Sequence, residues 1–224
     1  MRIKAPLPKW FPLSVERLLS EELRHVRLLI FWAAFGLMFL AAERLLPVAN
    51  YHLVHCAADD WIPFFEGFLV WYLFWFVELV MIHLYTLLYD PDAFVRLMQF
   101  IAITYFSAMI CYLIYPTAQS LRPNPLPRET VLSRFTQMLY AFDTPTNVCP
   151  SIHVMGALAV QCAVWDSDCF SSRVGDWLFL IPTVLVCAAT VFMKQHSMAD
   201  VLAALPFCGF ARWFCYDRKG GVSV

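Results

Sequence analysis

The sequence predicts an all-α fold, a polytopic membrane helix bundle with about six transmembrane helices. Two observations carry that expectation. Of 224 residues, 61% are hydrophobic and only 15% charged, which leaves too little polar surface to coat a water-soluble globule of this size. The apolar residues also gather into long runs, and about 20 of them, rising roughly 1.5 Å each, cross about 30 Å of hydrocarbon.

Taken in order, the chain begins with residues 1–27, read as a cytoplasmic amphipathic segment. Val15, Leu18, Leu19, Leu23 and Val26 stand at helical spacing among Glu16, Arg17, Glu21, Glu22, Arg24 and Arg27, the pattern of a surface helix lying along the headgroups. This segment is too long for the start of a secretory signal, so the first apolar run is expected to stay as a span. Residues 28–217 form the membrane domain. Its expected spans are Leu28 to Leu46, Phe68 to Leu88, Phe94 to Tyr115, Ile152 to Trp165, Trp177 to Met193 and Met198 to Tyr216, the fourth being the shortest. Trp61-Ile-Pro-Phe-Phe65, ahead of the second span, is too short to cross and is expected to dip in and return. Residues 218–224 form a cytoplasmic tail.

Between the third and fourth spans lies Pro116 to Pro150, a proline-rich polar loop long enough to carry function, with one short amphipathic helix expected at Val131 to Tyr140. Arg2, Lys4, Lys9, Arg17, Arg24 and Arg27 before the first span, and Arg218 and Lys219 after the last, place both ends in the cytoplasm. An even number of spans follows. The long loop and the tight connection Lys194 to Asp200 then face away from the cytoplasm, although Arg122, Arg128 and Arg134 in that loop run against the charge rule. The formal net charge of −1 gives no basic field, and nucleic acid is not an expected partner.

Cys111, Cys162, Cys187, Cys208 and Cys215 lie inside apolar runs, where free thiols behave as small hydrophobes. Cys56 and Cys149 fall in two polar segments on one side, where a disulfide between them is permitted. Glu78 and His83 sit within the second span; a structural role facing the bundle interior is the first reading and a substrate-pocket role the second. Glu66 is expected at the membrane edge in contact with water. His52, His55, Asp59 and Asp60 have a spacing that fits no metal site and are read as loop residues.

Three pieces of sequence converge on the outer face: Arg122-Pro123, Cys149-Pro-Ser-Ile-His153 and Lys194-Gln-His-Ser-Met-Ala-Asp200. Phosphoryl transfer needs positive charge and N–H donors around the phosphate oxygens, a nucleophile in line with the leaving group, and an acid for the leaving oxygen. His196 and Asp200 stand four apart, so on a helix they would share a face, with the carboxylate fixing the imidazole tautomer. That spacing makes His196 the candidate nucleophile, Asp200 its orienter and His153 the candidate acid. Ser151 and the helix start beside it would cradle the phosphate, with Arg122 and Lys194 supplying charge.

These pieces resemble the signature of the type 2 phosphatidic acid phosphatase superfamily, written K-x6-R-P, P-S-G-H and S-R-x5-H-x3-D. The resemblance covers Tyr115 to Pro206 and implies a six-helix membrane core, a phosphohistidine intermediate, no cofactor and no metal requirement. Arg122 with Pro123, Pro150 with Ser151 and His153, and His196 with Asp200 match. Tyr115 stands where the family has Lys, Ile152 where it has Gly, and Ala189-Thr190 where it has Ser-Arg, so two phosphate-binding cations are missing from their usual positions. Lys194 is the residue expected to compensate. The wording Cys-Pro-Ser-Ile-His-Val and Lys-Gln-His, with Tyr115-Pro116, is similar to the branch containing inositol phosphorylceramide synthases, in which the phosphohistidine passes to a lipid alcohol instead of water.

Hydrolysis of a lipid phosphomonoester is therefore the first expectation, and transfer of a phospholipid headgroup phosphate to a ceramide or diacylglycerol the second. A transporter or lipid-binding protein, and a metal hydrolase built on His153, His196 and Asp200, are the readings from other classes. The expected partners are a lipid phosphate or phospholipid, a lipid alcohol acceptor and the bilayer. The expected location is a bacterial inner membrane, with the site on the extracytoplasmic face.

Overall fold

A computed structural model describes residues 21–44, 50–167, 170 and 173–218. Residues 1–20, which hold the first half of the expected surface helix, and residues 219–224 of the expected tail lie outside the described residues.

The chain enters through a 3₁₀ stretch, Glu21–Leu29, that runs into α1 (Ile30–Arg44). β1 (His52–Leu53) and the short α2 (Ala57–Trp61) follow, and a 3₁₀ turn, Glu66–Phe68, leads into α3 (Leu69–Tyr89). Next come α4 (Pro91–Ile114), β2 (Thr117–Ala118) and α5 (Val131–Phe142). The last helices are α6 (Ile152–Asp166), α7 (Arg173–Phe192) and α8 (Met198–Arg212), which ends in a π turn, Trp213–Asp217. The expected all-α fold is met apart from the two-residue strands. These pair in parallel, His52 with Thr117 and Leu53 with Ala118, and tie the loop after α1 to the loop after α4.

Among the described residues, four helices are long and apolar enough to cross a membrane: Leu23–Arg44, Glu66–Tyr89, Pro91–Ile114 and Met198–Asp217. The fourth and fifth expected spans are helices too, but the apolar stretches Ile152–Asp166 and Trp177–Phe192 are shorter. At 15 residues α6 rises only roughly 22 Å. It is enclosed by protein, packed against α3, α4, α7 and α8, so its length need not match a bilayer. Between apolar helices in lipid, close backbone approach replaces the hydrophobic effect as the source of attraction. Gly156, Ala157, Ala159 and Ala163 give α6 that approach, and all are buried. At Gly156 a Cβ would stand 2.6 Å from Tyr105 Oη and 2.8 Å from Trp75 Nε1, so only glycine fits between α3 and α4.

Helix starts are marked by side-chain caps. Asp90 accepts from Ala93 N at 3.2 Å with Pro91 in the first turn, Thr130 accepts from Ser133 N at 3.0 Å, and Ser151 accepts from Val154 N at 3.4 Å. α5 is amphipathic as expected but turned outward. Val131, Phe135, Met138 and Phe142 are exposed on one face, while Ser133 and Thr136 are buried. A helix with that sidedness lies with its apolar face toward lipid.

The permitted disulfide is not formed: Cys56 and Cys149 are free thiols, and burial beside Asp200 pushes the Cys149 thiol up to about 12, where it stays protonated at neutral pH. The expectation for Glu66 is corrected. Glu66 is only 5% exposed and pairs with Arg128 at 2.8 Å, so it is withdrawn from water. In the Trp61-Ile-Pro-Phe-Phe65 segment α2 ends at Trp61, which is 86% exposed, and Ile62 turns extended ahead of Pro63.

Candidate active site

Three connections meet at one end of the bundle: the loop after α1, the loop after α4 and the turn between α7 and α8. At the end of α7 the N–H groups of Gln195 and His196 both bond the Thr190 carbonyl, at 2.9 and 3.0 Å, while Lys194 takes a left-handed φ of 52°. A lysine there costs about 1–2 kcal/mol relative to right-handed backbone, and the reversal it makes delivers Gln195 and His196 to the bundle interior. Ser197 then caps α8, accepting from Ala199 N at 3.1 Å, and Asp200 completes the capping box by accepting from Ser197 N at 2.9 Å.

This capping box corrects the reason for the His196–Asp200 pairing. His196 precedes the helix and does not share a helical face with Asp200. The two meet because Asp200 folds back over the helix start, with Oδ2 3.2 Å from His196 Nδ1. With the carboxylate ionised, Nδ1 carries the proton and Nε2 keeps its lone pair. His196 Nε2 lies 3.2 Å from His153 Nδ1, so Asp200, His196 and His153 form one hydrogen-bonded line. His153, in the first turn of α6, is held between the rings of Tyr72 and Trp75, with centroids 4.7 and 4.5 Å away.

His153 and His196 line a cavity of about 210 Å³. Its apolar wall comes from Phe39 of α1, Trp75 and Phe76 of α3, Leu139 and Phe142 of α5, and Ile152; its polar wall comes from Tyr72, Asp143, Asn147 and Gln195. A second cavity, about 540 Å³, lies on the other side of Cys149 and Pro150 between α4 and α8. Tyr115 lines that second cavity and stacks on His52 with centroids 3.8 Å apart.

The expected phosphate-binding residues are placed differently from the expected catalytic ones. Ser151 is fully buried and used as the cap of α6, and it is not part of the cavity wall. Lys194 points away, its Nζ donating to the Asp59 carbonyl at 2.8 Å, and burial lowers its pKa while Asp59 and Asp60 hold it up. Arg122 stands behind the wall. Its Nη1 donates to the carbonyls of Tyr140 at 3.1 Å and Asp143 at 2.8 Å, its Nη2 donates to Gln195 Oε1, and its plane lies 4.5 Å from the Tyr140 ring.

Sequence reasoning missed four side chains. Gln195 is one: its Oε1 accepts from Arg122, leaving a buried Nε2 with no hydrogen-bond partner among the described residues, in the cavity wall beside His196. Its place inside the Lys-Gln-His triplet was the available signal. Asp143 accepts from Tyr72 Oη at 3.1 Å; burial raises its pKa, while the charges of Arg122 and His196 and the Tyr72 bond pull it back. Glu43 accepts from Thr144 Oγ1 at 2.5 Å, Thr146 Oγ1 at 2.7 Å and Asn147 Nδ2 at 2.5 Å, which latches the cavity rim to α1.

Asp59, read from sequence as a loop residue, is 2% exposed and accepts from Ser197 Oγ at 2.5 Å, Met198 N at 2.8 Å and Cys56 N at 2.9 Å. Burial would raise its pKa, but those hydrogen bonds outweigh burial and hold it below the ordinary carboxylate value. His55 and Asp60 form an exposed pair at 2.8 Å. Glu78 and His83 face the bundle interior and do not line the cavity: Glu78 is 1% exposed, and His83 Nδ1 donates to Leu79 O at 2.7 Å with its ring 5.4 Å from Trp32. Among the described residues no group of three or more His, Cys, Asp or Glu is gathered as a metal site.

Comparison with protein-family models, with curated proteins and with solved structures finds no match to this chain.

Proposed function

We propose that this protein is a six-span membrane enzyme that moves the phosphoryl group of a lipid phosphate ester through a phosphohistidine at His196. The observation that carries the reading is the line Asp200, His196, His153 at the wall of a largely apolar cavity. An imidazole whose Nδ1–H is fixed by a carboxylate presents its Nε2 lone pair as a nucleophile, and a second imidazole at hydrogen-bond distance supplies the proton for the leaving oxygen. In-line displacement sets phosphorus between nucleophile and leaving group, so substrate must open the 3.2 Å contact between the histidines. His153 then turns from His196 to the leaving oxygen. Gln195 Nε2 and the first N–H groups of α6, which have no intrahelical partner, are the donors for the phosphate oxygens.

The lipid reaches the site from the leaflet. Phe39, Phe76 and Phe142 extend the cavity wall toward the bundle surface, and α5 beside it turns its apolar face outward. Arg24, Arg27, Arg96, Arg212 and Arg218 belong to the opposite helix ends, which supports a cytoplasmic placement of that end and an extracytoplasmic site.

Water as the final acceptor makes the protein a lipid phosphatase. A lipid alcohol makes it a headgroup phosphotransferase, a second reading favoured by the absence of Lys194 and Arg122 from the cavity wall, because a doubly charged phosphomonoester needs more positive charge than a phosphodiester. The test is turnover by purified protein of lipid phosphates and phospholipids, with and without ceramide or diacylglycerol. Free phosphate that disappears in His196→Asn supports the phosphatase. A new phospholipid that needs the acceptor and disappears in the same variant supports the transferase. Binding without turnover in wild type would return the chain to the transport or lipid-binding class.

A further inference from the structure

The second cavity, about 540 Å³, has the size of a ligand site and no part in phosphoryl transfer at His196. One short stretch of chain separates the two chambers. Val148 and Ile152 line the cavity of His153 and His196, whereas Cys149 and Pro150 between them line the second, and the two share no lining residue. The apolar side of the second cavity lies between two helices long enough to cross a membrane, with Ile110 and Ile114 from α4 and Ala203 and Phe207 from α8. Ile110 and Ile114 are 42% and 78% exposed, so the cavity opens toward lipid. Its polar side is made by His52, stacked on Tyr115, by Thr117, and by His55, which is paired with Asp60. The wall contains no lysine, arginine, aspartate or glutamate. A phosphate or ammonium headgroup drawn into it would give up water with no such group to meet its charge.

Thr117 adds a polar requirement. It is 2% exposed, and its Oγ1 accepts from Val148 N at 3.2 Å and from Cys149 N at 3.1 Å. Those two bonds use both lone pairs of the hydroxyl, while its own proton is donated to no group among the described residues. A buried donor left over in a cavity wall is matched by an oxygen acceptor on the molecule that fills the cavity. We infer that the second cavity is a binding site for an uncharged lipid, its hydrocarbon chain between α4 and α8 and a hydroxyl or ester oxygen at Thr117. The site is separate from the one that holds His196, and binding there needs no turnover.

The experiment uses the full chain in phosphatidylcholine nanodiscs with a long-chain alcohol that carries a diazirine in its chain. After illumination the labelled peptides are identified by mass spectrometry. The label is competed with oleyl alcohol, oleyl sulfate, oleyltrimethylammonium and octadecene, which share a chain length and differ in the head. Label is expected on residues 110–114 and 203–207. Oleyl alcohol is expected to displace it at about fivefold lower concentration than any of the other three, the scale of one hydrogen bond. Ala203→Trp, which fills the space between α4 and α8, is expected to remove most of that label. Thr117→Val is expected to bring the preference over octadecene close to one, and Thr117→Ser, which keeps the hydroxyl, to retain it. Octadecene or oleyl sulfate competing as well as oleyl alcohol in wild type would overturn the assignment. So would label at residues 110–114 and 203–207 that persists undiminished in a folded Ala203→Trp protein.

Discussion

Asp59 Oδ2 lies 2.5 Å from Ser197 Oγ, a contact across 138 positions that joins the loop after the first helix to the start of the last. The same carboxylate receives Met198 N and Cys56 N, so it fixes the turn from which His196 and Asp200 are presented. Asp59→Ala leaves a buried hydroxyl and two partly buried N–H groups to find other partners, at up to about 1–3 kcal/mol for each left unmade. Asp59 does not line the cavity, so in the proposed mechanism it is a positioning residue. The expected outcome is a lower Tm and a fall in kcat larger than any change in KM, with Asp59→Asn retaining part of both.

The pH dependence of that clamp follows from the depressed Asp59 pKa. A carboxylate held below its unfolded value adds stability that is fully present above the unfolded pKa and is lost as pH falls through the lower folded one. Thermal melts should therefore show Asp59 contributing fully at neutral pH. The gap between wild type and Asp59→Asn should narrow only as the solution is taken below the ordinary carboxylate pKa of about 3.9.

Asp143 shifts the other way. Burial pushes it up against the opposing pull of Arg122, His196 and the Tyr72 bond, with Glu43 adding to the push. It therefore gains its proton at a higher pH than an ordinary aspartate as the solution is acidified. Turnover by wild type should therefore change on acidification before free carboxylates titrate, and Asp143→Asn should lack that inflection; initial rates across pH provide the measurement.

Lys194 has separable roles. Its side chain holds the Asp59 carbonyl, and its backbone is in the left-handed region. Lys194→Ala loses the tether and keeps the strain, whereas Lys194→Gly loses the tether and gains up to about 1 kcal/mol from relieved strain. The glycine variant should melt above the alanine variant, and the two should have similar KM because neither side chain lines the cavity. A KM that rises severalfold in both would restore Lys194 to direct phosphate binding.

Gly156→Ala would place a methyl group 2.6 Å from Tyr105 Oη and 2.8 Å from Trp75 Nε1, both on buried side chains. Overpacking of this kind costs about 1–3 kcal/mol. The Trp75 ring also packs on His153, so its displacement should lower turnover beyond the loss of stability. Activity measured well below the Tm of the variant separates the two effects.

The spans were legible because apolar runs of bilayer length have few other uses: α3 and α4 fall within a few residues of their expected bounds. α6 read as a weak span because a helix enclosed by protein is free to be short and rich in Gly and Ala. His153, His196 and Asp200 were legible because their residue types carry chemistry. Their contact was reached through the wrong local geometry, since spacing of four is equally that of a residue before a cap and the third residue after it. Asp59, Asp143 and Glu43 were not legible, because their partners lie tens of positions or more away and only the folded chain brings them together. Arg122 and Lys194 were read as phosphate ligands from their charge, and in the fold the Arg122 Nη donors go to two backbone carbonyls and Gln195 and the Lys194 Nζ donates to the Asp59 carbonyl, contacts that span too many positions to be read from sequence.

The covalent state of His196 during turnover tests the central claim most directly. Wild-type protein mixed with excess lipid substrate is quenched in base within a single turnover, and the peptide containing His196 is examined by mass spectrometry. The expected result is a phosphorus-containing adduct on His196 that forms as fast as the alcohol product is released and is absent, with all turnover, in His196→Asn. Turnover at the wild-type rate in His196→Asn, or product released with no adduct on that peptide, would contradict it.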